Sequence, residues 1–241
     1  MKRRVCFVAL VALLVPLFAT RSTAEDKTAQ VRKLQERYTI SLELEFRKKK
    51  PNTFQRAISV LDWGPNGYAS GFLVGNGLVM TAYHVVSGQL SNTKKAILGF
   101  GPDDELKVTV YVNGCQANVV KVDESADLAL LTVCRSPKTT RAPAVQTELS
   151  KDEKLLLIAR PHGDRIVSEG NFYGAYSFRG QQYWSAKIDH REGYSGSPVY
   201  NQNAELIGVF SGYDWSQKLA VISPGARAQK LLEEYVANPK P

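Results

Sequence analysis

The sequence has 241 residues, 31 Lys and Arg against 23 Asp and Glu, a net charge of +8, three Cys and three His, and is 44% apolar. This is the composition of a folded chain. No apolar run reaches the roughly 18 to 20 residues that cross a bilayer as a helix, which excludes a helical channel or transporter. The length suits one compact unit or two small ones sharing an interface.

The N-terminus decides what the charge means. Lys2, Arg3 and Arg4 precede a 15-residue apolar run, Val5 to Ala19, with Pro16 near its end and the small residues Ser22-Thr23-Ala24 after it. That order reads as a secretory signal peptide, residues 1–24, cut after Ala24; the alternative is an uncleaved anchor. Cleavage removes Lys2, Arg3, Arg4 and Arg21 and no acid, lowering the net charge to +4. Expected localisation is therefore secreted or periplasmic, with no stable membrane insertion after cleavage and no nucleic-acid partner. Cys6 leaves with the signal. Cys115 and Cys134 remain in an oxidising compartment, where a pair is usually a bridge. A hairpin register that pairs Val122 with Asp127 also pairs Cys115 with Cys134, so a cross-strand disulfide is plausible; two unpaired thiols are the alternative.

Residues 25–54 form an N-terminal extension. Val31, Leu34 and Tyr38 share a helical stripe, Thr39 to Phe46 alternates as an extended lead-in, and Arg47-Lys48-Lys49-Lys50 reads as solvated surface. From residue 55 the pattern changes to short strands separated by Gly, Pro, Asn and Asp. The predicted strands are Ala57 to Leu61, Ser70 to Val74, Leu78 to Thr81, Lys107 to Val112, Ala117 to Val122, Leu128 to Val133, Lys154 to Ala159, Ile166 to Tyr173, Gln182 to Ile188, Pro198 to Asn201, Leu206 to Phe210 and Lys218 to Ile222. Twelve such strands mean an all-β sandwich or pair of barrels. A helix from Gly225 to Val236 follows Pro224, its apolar face formed by Ala228, Leu231, Leu232 and Tyr235.

The chemistry is narrowed first by what is missing. There is no H-E-x-x-H, C-x-x-C or G-x-x-x-x-G-K, and Gly75-Asn76-Gly77 lacks the third Gly and the helix of a dinucleotide loop, so no metal and no cofactor is expected. Gly193-Tyr194-Ser195-Gly196-Ser197-Pro198 remains, a tight turn whose small residues would let backbone N–H groups converge on one oxyanion. A Gly/Ser-rich hairpin turn is the plain alternative. His84, His162 and His190 all precede Ser195, which rules out the Ser-Asp-His order of the α/β-hydrolases and leaves His-Asp-Ser.

His84 lies in Thr81-Ala82-Tyr83-His84-Val85-Val86, at the end of an apolar strand, and Asp127 in Ala126-Asp127-Leu128-Ala129-Leu130-Leu131. With Gly193-Tyr194-Ser195-Gly196-Ser197-Pro198-Val199, these segments resemble the trypsin-like (chymotrypsin-fold) serine peptidases. Within that family they are most similar to the bacterial branch that includes glutamyl endopeptidases and HtrA-type protease domains. The resemblance implies two six-stranded antiparallel β-barrels over residues 55–236 and serine endopeptidase activity on polypeptide substrates. Ser195 would be the nucleophile, His84 the general base and Asp127 its orienting carboxylate, with the backbone N–H groups of Gly193 and Ser195 as oxyanion hole. Ser197 is the rival serine and Asp123 the rival carboxylate; His162 and His190 read as loop residues. A catalytically silent homologue that binds peptides in the same cleft is the competing reading.

Two departures from the family matter. Animal members are activated when a freed N-terminus pairs with an acid just before the nucleophile; here that residue is Tyr194, so no such switch is expected. Asp189 stands six residues before Ser195, where the trypsin branch has the floor of its specificity pocket, while Ser211 and Tyr213 fall on the pocket wall, with no histidine to receive a glutamate. Basic and small or apolar P1 residues both stay open.

Overall fold

The structure is a computed structural model that describes residues 27–33, 35–51, 64–75, 77–134 and 142–239. The signal segment, Leu34 of the helical stripe and the predicted strand Ala57 to Leu61 lie outside the described residues.

Twelve strands close into two antiparallel six-stranded barrels. The first, in the order β1-β2-β3-β6-β5-β4, contains β1 Thr39–Lys48, β2 Gly67–Gly75, β3 Leu78–Thr81, β4 Leu106–Val112, β5 Cys115–Asp123 and β6 Leu128–Thr132. The second, in the order β10-β11-β12-β9-β8-β7, contains β7 Lys154–Ala159, β8 Ile166–Phe178, β9 Gln181–Ile188, β10 Pro198–Asn201, β11 Leu206–Asp214 and β12 Leu219–Pro224. This is the chymotrypsin-like architecture. Closure leaves neither sheet with a free edge.

Three cores explain the sequence pattern. In β3, Val79 points into the first barrel with Leu42, Val110 and Leu131. Its neighbours Leu78 and Met80 point the other way, joining Phe72, Leu128 and Leu130 against Ile158, Tyr200 and Val209 of the second barrel. Strands at the barrel interface are thus buried on both faces, which is why β3 and β6 read as unbroken apolar runs. The second barrel encloses Leu157, Phe172, Ile207, Phe210 and Ile222.

Two expectations change. Thr39–Lys48, taken as a lead-in to the core, is a core strand that pairs with β2 and β4. Its alternation carried the strand signal, but only ring closure shows that it completes a barrel. The register between β5 and β6 also differs: Val122 faces Ala129 and Asp123 faces Leu128, with an irregularity between Val119 and Lys121. The single turn of 3-10 helix Glu124–Ala126 takes up residues that the simple hairpin would have paired. Cys115 and Cys134 are nevertheless disulfide-linked, with Cα atoms 6.3 Å apart, just beyond the paired part of β6.

At the N-terminus, residues 27–33 are helical and Val31 is buried among Tyr200, Leu206, Ala228 and Leu231. The C-terminal helix Gly225–Ala237 covers this seam. Among the described residues no helix is long and apolar enough to cross a membrane.

Candidate active site

His84 is delivered from β3, but not on a strand. Ala82 is still extended, and Tyr83–Ser87 then forms a short helix ended by Gly88 at φ 73°. A Cβ at Gly88 would press on the Leu106 carbonyl, so glycine is required twice, for the left-handed turn and for the close approach.

Asp127 reaches the same point from β5. The Asp123 carboxylate accepts from the Ala126 N–H at 3.1 Å and caps the 3-10 turn, and Asp127 ends that turn at φ 54°, a left-handed conformation that Asp tolerates better than most residues. Tyr83 N–H donates to the Asp127 carbonyl at 3.0 Å, and His84 N–H donates to Asp127 Oδ1 at 2.8 Å. With both backbones tied, His84 Nδ1 lies 2.8 Å from Asp127 Oδ2 and His84 Nε2 lies 2.8 Å from Ser195 Oγ. A carboxylate only accepts, so Nδ1 is the donor to Asp127, and the neutral tautomer with its proton there turns the Nε2 lone pair to the serine.

A third donor holds the carboxylate. Ser211 Oγ donates to Asp127 Oδ2. Ser211 falls at the irregularity in the β11–β12 register, where Phe210 faces Ile222 and Gly212 faces Val221, so it has no partner across the ladder and its side chain is re-aimed toward the first barrel. Sequence reasoning placed Ser211 on the pocket wall and missed this bond; a bulge leaves no trace in residue type here.

Gly193 to Ser197 forms a turn in which three of the five N–H groups are bonded within the protein. Tyr194 N–H donates to Arg191 O at 3.3 Å, Gly196 N–H to Phe210 O at 2.9 Å and Ser197 N–H to Tyr194 O at 2.9 Å. Gly193 has φ +85° at the third position of the turn closed by Tyr194, the type II form. Its absent side chain matters too, because a Cβ there would lie 2.6 Å from Pro161 Cβ. Among the described residues, Gly193 N–H and Ser195 N–H have no intramolecular hydrogen-bond partner.

The remaining candidates separate clearly. Ser197 is fully buried. The Asp123 carboxylate is turned away from His84, toward Ser125 Oγ at 2.7 Å and Arg227 Nη2 at 2.6 Å. Burial alone would raise its pKa, but the bonds from Ser125, Arg227 and Ala126 N–H outweigh this and hold it below the usual carboxylate range. His162 packs on Tyr68, ring centroids 3.8 Å apart. His190 stacks between Phe210 and Tyr213 at 5.5 and 5.4 Å, and burial lowers its pKa. Tyr194 is fully buried, its hydroxyl 3.2 Å from Ser168 Oγ.

His84 and Asp127 open onto a cleft of about 800 Å³ between the barrels, lined also by Ser211, Tyr213, Tyr176 and Trp215. Asp189, expected at the pocket floor, is exposed where β9 ends and does not line this cleft. No group of His, Cys, Asp or Glu among the described residues could hold a metal ion.

Residues 69–209 match the trypsin-like peptidase domain, a span that runs from within β2 to within β11 and contains all three hydrogen-bonded residues. The chain belongs to this family. Solved structures share the fold of the peptidase domain. The Rv3671c protease from M. tuberculosis in its active form is 17% identical, with a TM-score of 0.61 over 95% of this chain and 93% of that one. Deg5 is 17% identical, with a TM-score of 0.59 over 88% and 95%. The serine endoprotease from Yersinia pestis is 16% identical, with a TM-score of 0.58 over 88% and 67%. No curated protein matches the sequence.

Proposed function

We propose that the chain is a secreted or periplasmic serine endopeptidase that cleaves peptide bonds through an acyl-enzyme. The observation that carries this reading is the continuous hydrogen-bonded chain from Asp127 through His84 to Ser195, in which Asp127 and His84 line the cleft. Ser195 Oγ attacks the scissile carbonyl as its proton passes to His84 Nε2, while Asp127 keeps the ring in the productive tautomer and stabilises the imidazolium. The carbonyl oxygen gains negative charge and takes the free N–H groups of Gly193 and Ser195. The tetrahedral adduct collapses as His84 returns the proton to the leaving amine, forming an ester on Ser195. Water, deprotonated by His84, then attacks that ester, and the proton goes back to Ser195 as the acid departs.

Secretion rests on residues 1–24 and on the Cys115–Cys134 bridge, which suits an oxidising compartment. Tyr194 supports constitutive activity: its neutral hydroxyl finds a partner without an inserted ammonium group. For specificity, an exposed Asp189 provides no buried charge for Arg or Lys, and the aromatic rings of Tyr176, Tyr213 and Trp215 that line the cleft favour a small or apolar P1 residue.

A fluorophosphonate probe tests the reading directly. It labels the mature protein at Ser195 and fails to label Ser195→Ala. Labelling that survives in Ser195→Ala overturns the assignment, and labelling of neither protein leaves a homologue that only binds peptides.

A further inference from the structure

We infer that Ser70, a residue of the first barrel, is a positioning residue that orients the oxyanion-binding turn of the second. The inference rests on the peptidase reading above.

Ser70 lies in β2, is fully buried, and uses every polar group it has. Its hydroxyl donates to the Gly193 carbonyl at 2.9 Å and accepts from the Arg160 N–H at 2.9 Å. Its N–H donates to the Ser195 carbonyl at 2.9 Å, and its carbonyl accepts from Thr81 Oγ1 at 2.8 Å. One residue thus bonds to three backbone groups of the second barrel. Elsewhere the two barrels meet largely through apolar side chains, which hold distance but not orientation.

The peptide planes involved show what the contacts accomplish. The Gly193 carbonyl belongs to the plane between residues 193 and 194, and the Ser195 carbonyl to the plane between 195 and 196. The Ser195 N–H belongs to the plane between these two, and the Gly193 N–H to the plane just before them. Ser70 therefore grips the planes on both sides of one oxyanion donor and on the near side of the other. Gly193 is the soft joint in this turn, since glycine at positive φ rotates more freely than any other residue. Gly196 allows the approach: a Cβ there would collide with Thr81 Oγ1 and with the Ser70 carbonyl.

Removing the Ser70 hydroxyl leaves the Gly193 carbonyl and the Arg160 N–H without that partner at a fully buried position. The 193–194 plane then keeps only the long 3.3 Å bond from Tyr194 N–H to the Arg191 carbonyl and can tilt, carrying the donors away from the place where negative charge develops. A misaimed donor costs less than a deleted one, which typically costs ~10²–10³ in kcat.

The test uses the mature chain carrying Ser70→Ala, with Ser185→Ala as control, because Ser185 is also a buried serine whose hydroxyl donates to a carbonyl, that of Gly174 at 3.0 Å, away from the turn. Rates are expressed per site titrated by the fluorophosphonate, so a misfolded fraction does not count. Ser70→Ala is expected to lower kcat about 10- to 100-fold with KM within about threefold, to weaken a peptidyl boronate by the same factor, and to leave the pH midpoint of kcat/KM in place. Ser185→Ala keeps the wild-type kcat per site. If Ser70→Ala does not fold, Ser70→Cys, with its weaker donor, is expected to show a smaller loss of the same kind. Wild-type kcat and boronate affinity in the Ser70 variant, or an equal loss in Ser185→Ala, overturns the inference while the peptidase reading stands. A wild-type chain that neither labels nor cleaves overturns both.

Discussion

At the residue scale, the site is a set of small choices about which atom faces which. The Asp127 carboxylate receives three donors, His84 N–H, His84 Nδ1–H and Ser211 Oγ–H, so it cannot swing away from the imidazole. Replacing it by Asn offers the wrong hydrogen-bond pattern to Nδ1, and Asp127→Asn is expected to lower kcat by ~10⁴ with little change in KM. Ser211→Ala removes one of the three donors and is expected to lower kcat about tenfold, a difference that active-site-titrated kinetics resolves. His190 makes a separate prediction. Burial lowers its folded pKa below the ordinary ~6.5, so between those two values the unfolded chain holds a proton that the folded chain refuses. Stability should therefore fall as the pH drops below ~6.5. His190→Phe, which keeps the aromatic stack, is expected to flatten the melting temperature between pH 7 and pH 5. An unchanged slope in the variant would remove His190 as its cause.

At the scale of elements, the turn between β5 and β6 is where residue type, backbone and packing meet. The Cys115–Cys134 bridge ties the outer ends of these strands over a separation of 19 residues, and a loop of that length contributes about 3 kcal/mol through the entropy of the unfolded chain. The Cys115→Ser/Cys134→Ser variant is expected to melt roughly 6 to 12 °C lower by calorimetry while keeping its activity per titrated site at 25 °C. At the inner end of the hairpin, Arg227 from the C-terminal helix bonds Asp123 and Ser125, joining that helix to the turn that presents Asp127. Much of this was legible in the sequence. Alternation and turn residues give eleven of the described strands their approximate positions, and Ala126-Asp127-Leu128 marks the end of a strand. The short helix around His84 was not legible, because Tyr83-His84-Val85-Val86 has β-branched residues and only one turn of length. It forms because the Asp127 carbonyl and carboxylate take up its first N–H groups.

At the scale of the whole molecule, the interface between the barrels is a packed core in its own right, and the N-terminal segment belongs to it. Val31 is 2% exposed and sits between the second barrel and the C-terminal helix. Placing a carboxylate there without a partner costs several kcal/mol, so Val31→Asp is expected to lower the melting temperature by more than 5 °C and to leave some of the protein insoluble. An undiminished melting temperature would mean that the segment contributes nothing to the folded state.

What the sequence determined by itself is the class of the fold, the order of the strands and the identities of His84, Asp127 and Ser195 as residues to bring together. The strands are written locally, in alternation and turn residues, and the three site residues through the resemblance of their short segments, in fixed order, to the trypsin-like peptidases. Tertiary structure alone decided that Thr39–Lys48 closes the first barrel, that Ser211 is re-aimed by a bulge onto Asp127, that Asp189 faces solvent, and that Ser70 reaches across to the Gly193 turn. Those facts depend on which surfaces meet when the barrels close and pack, and residues dozens of positions apart or more carry no mark of one another until they do.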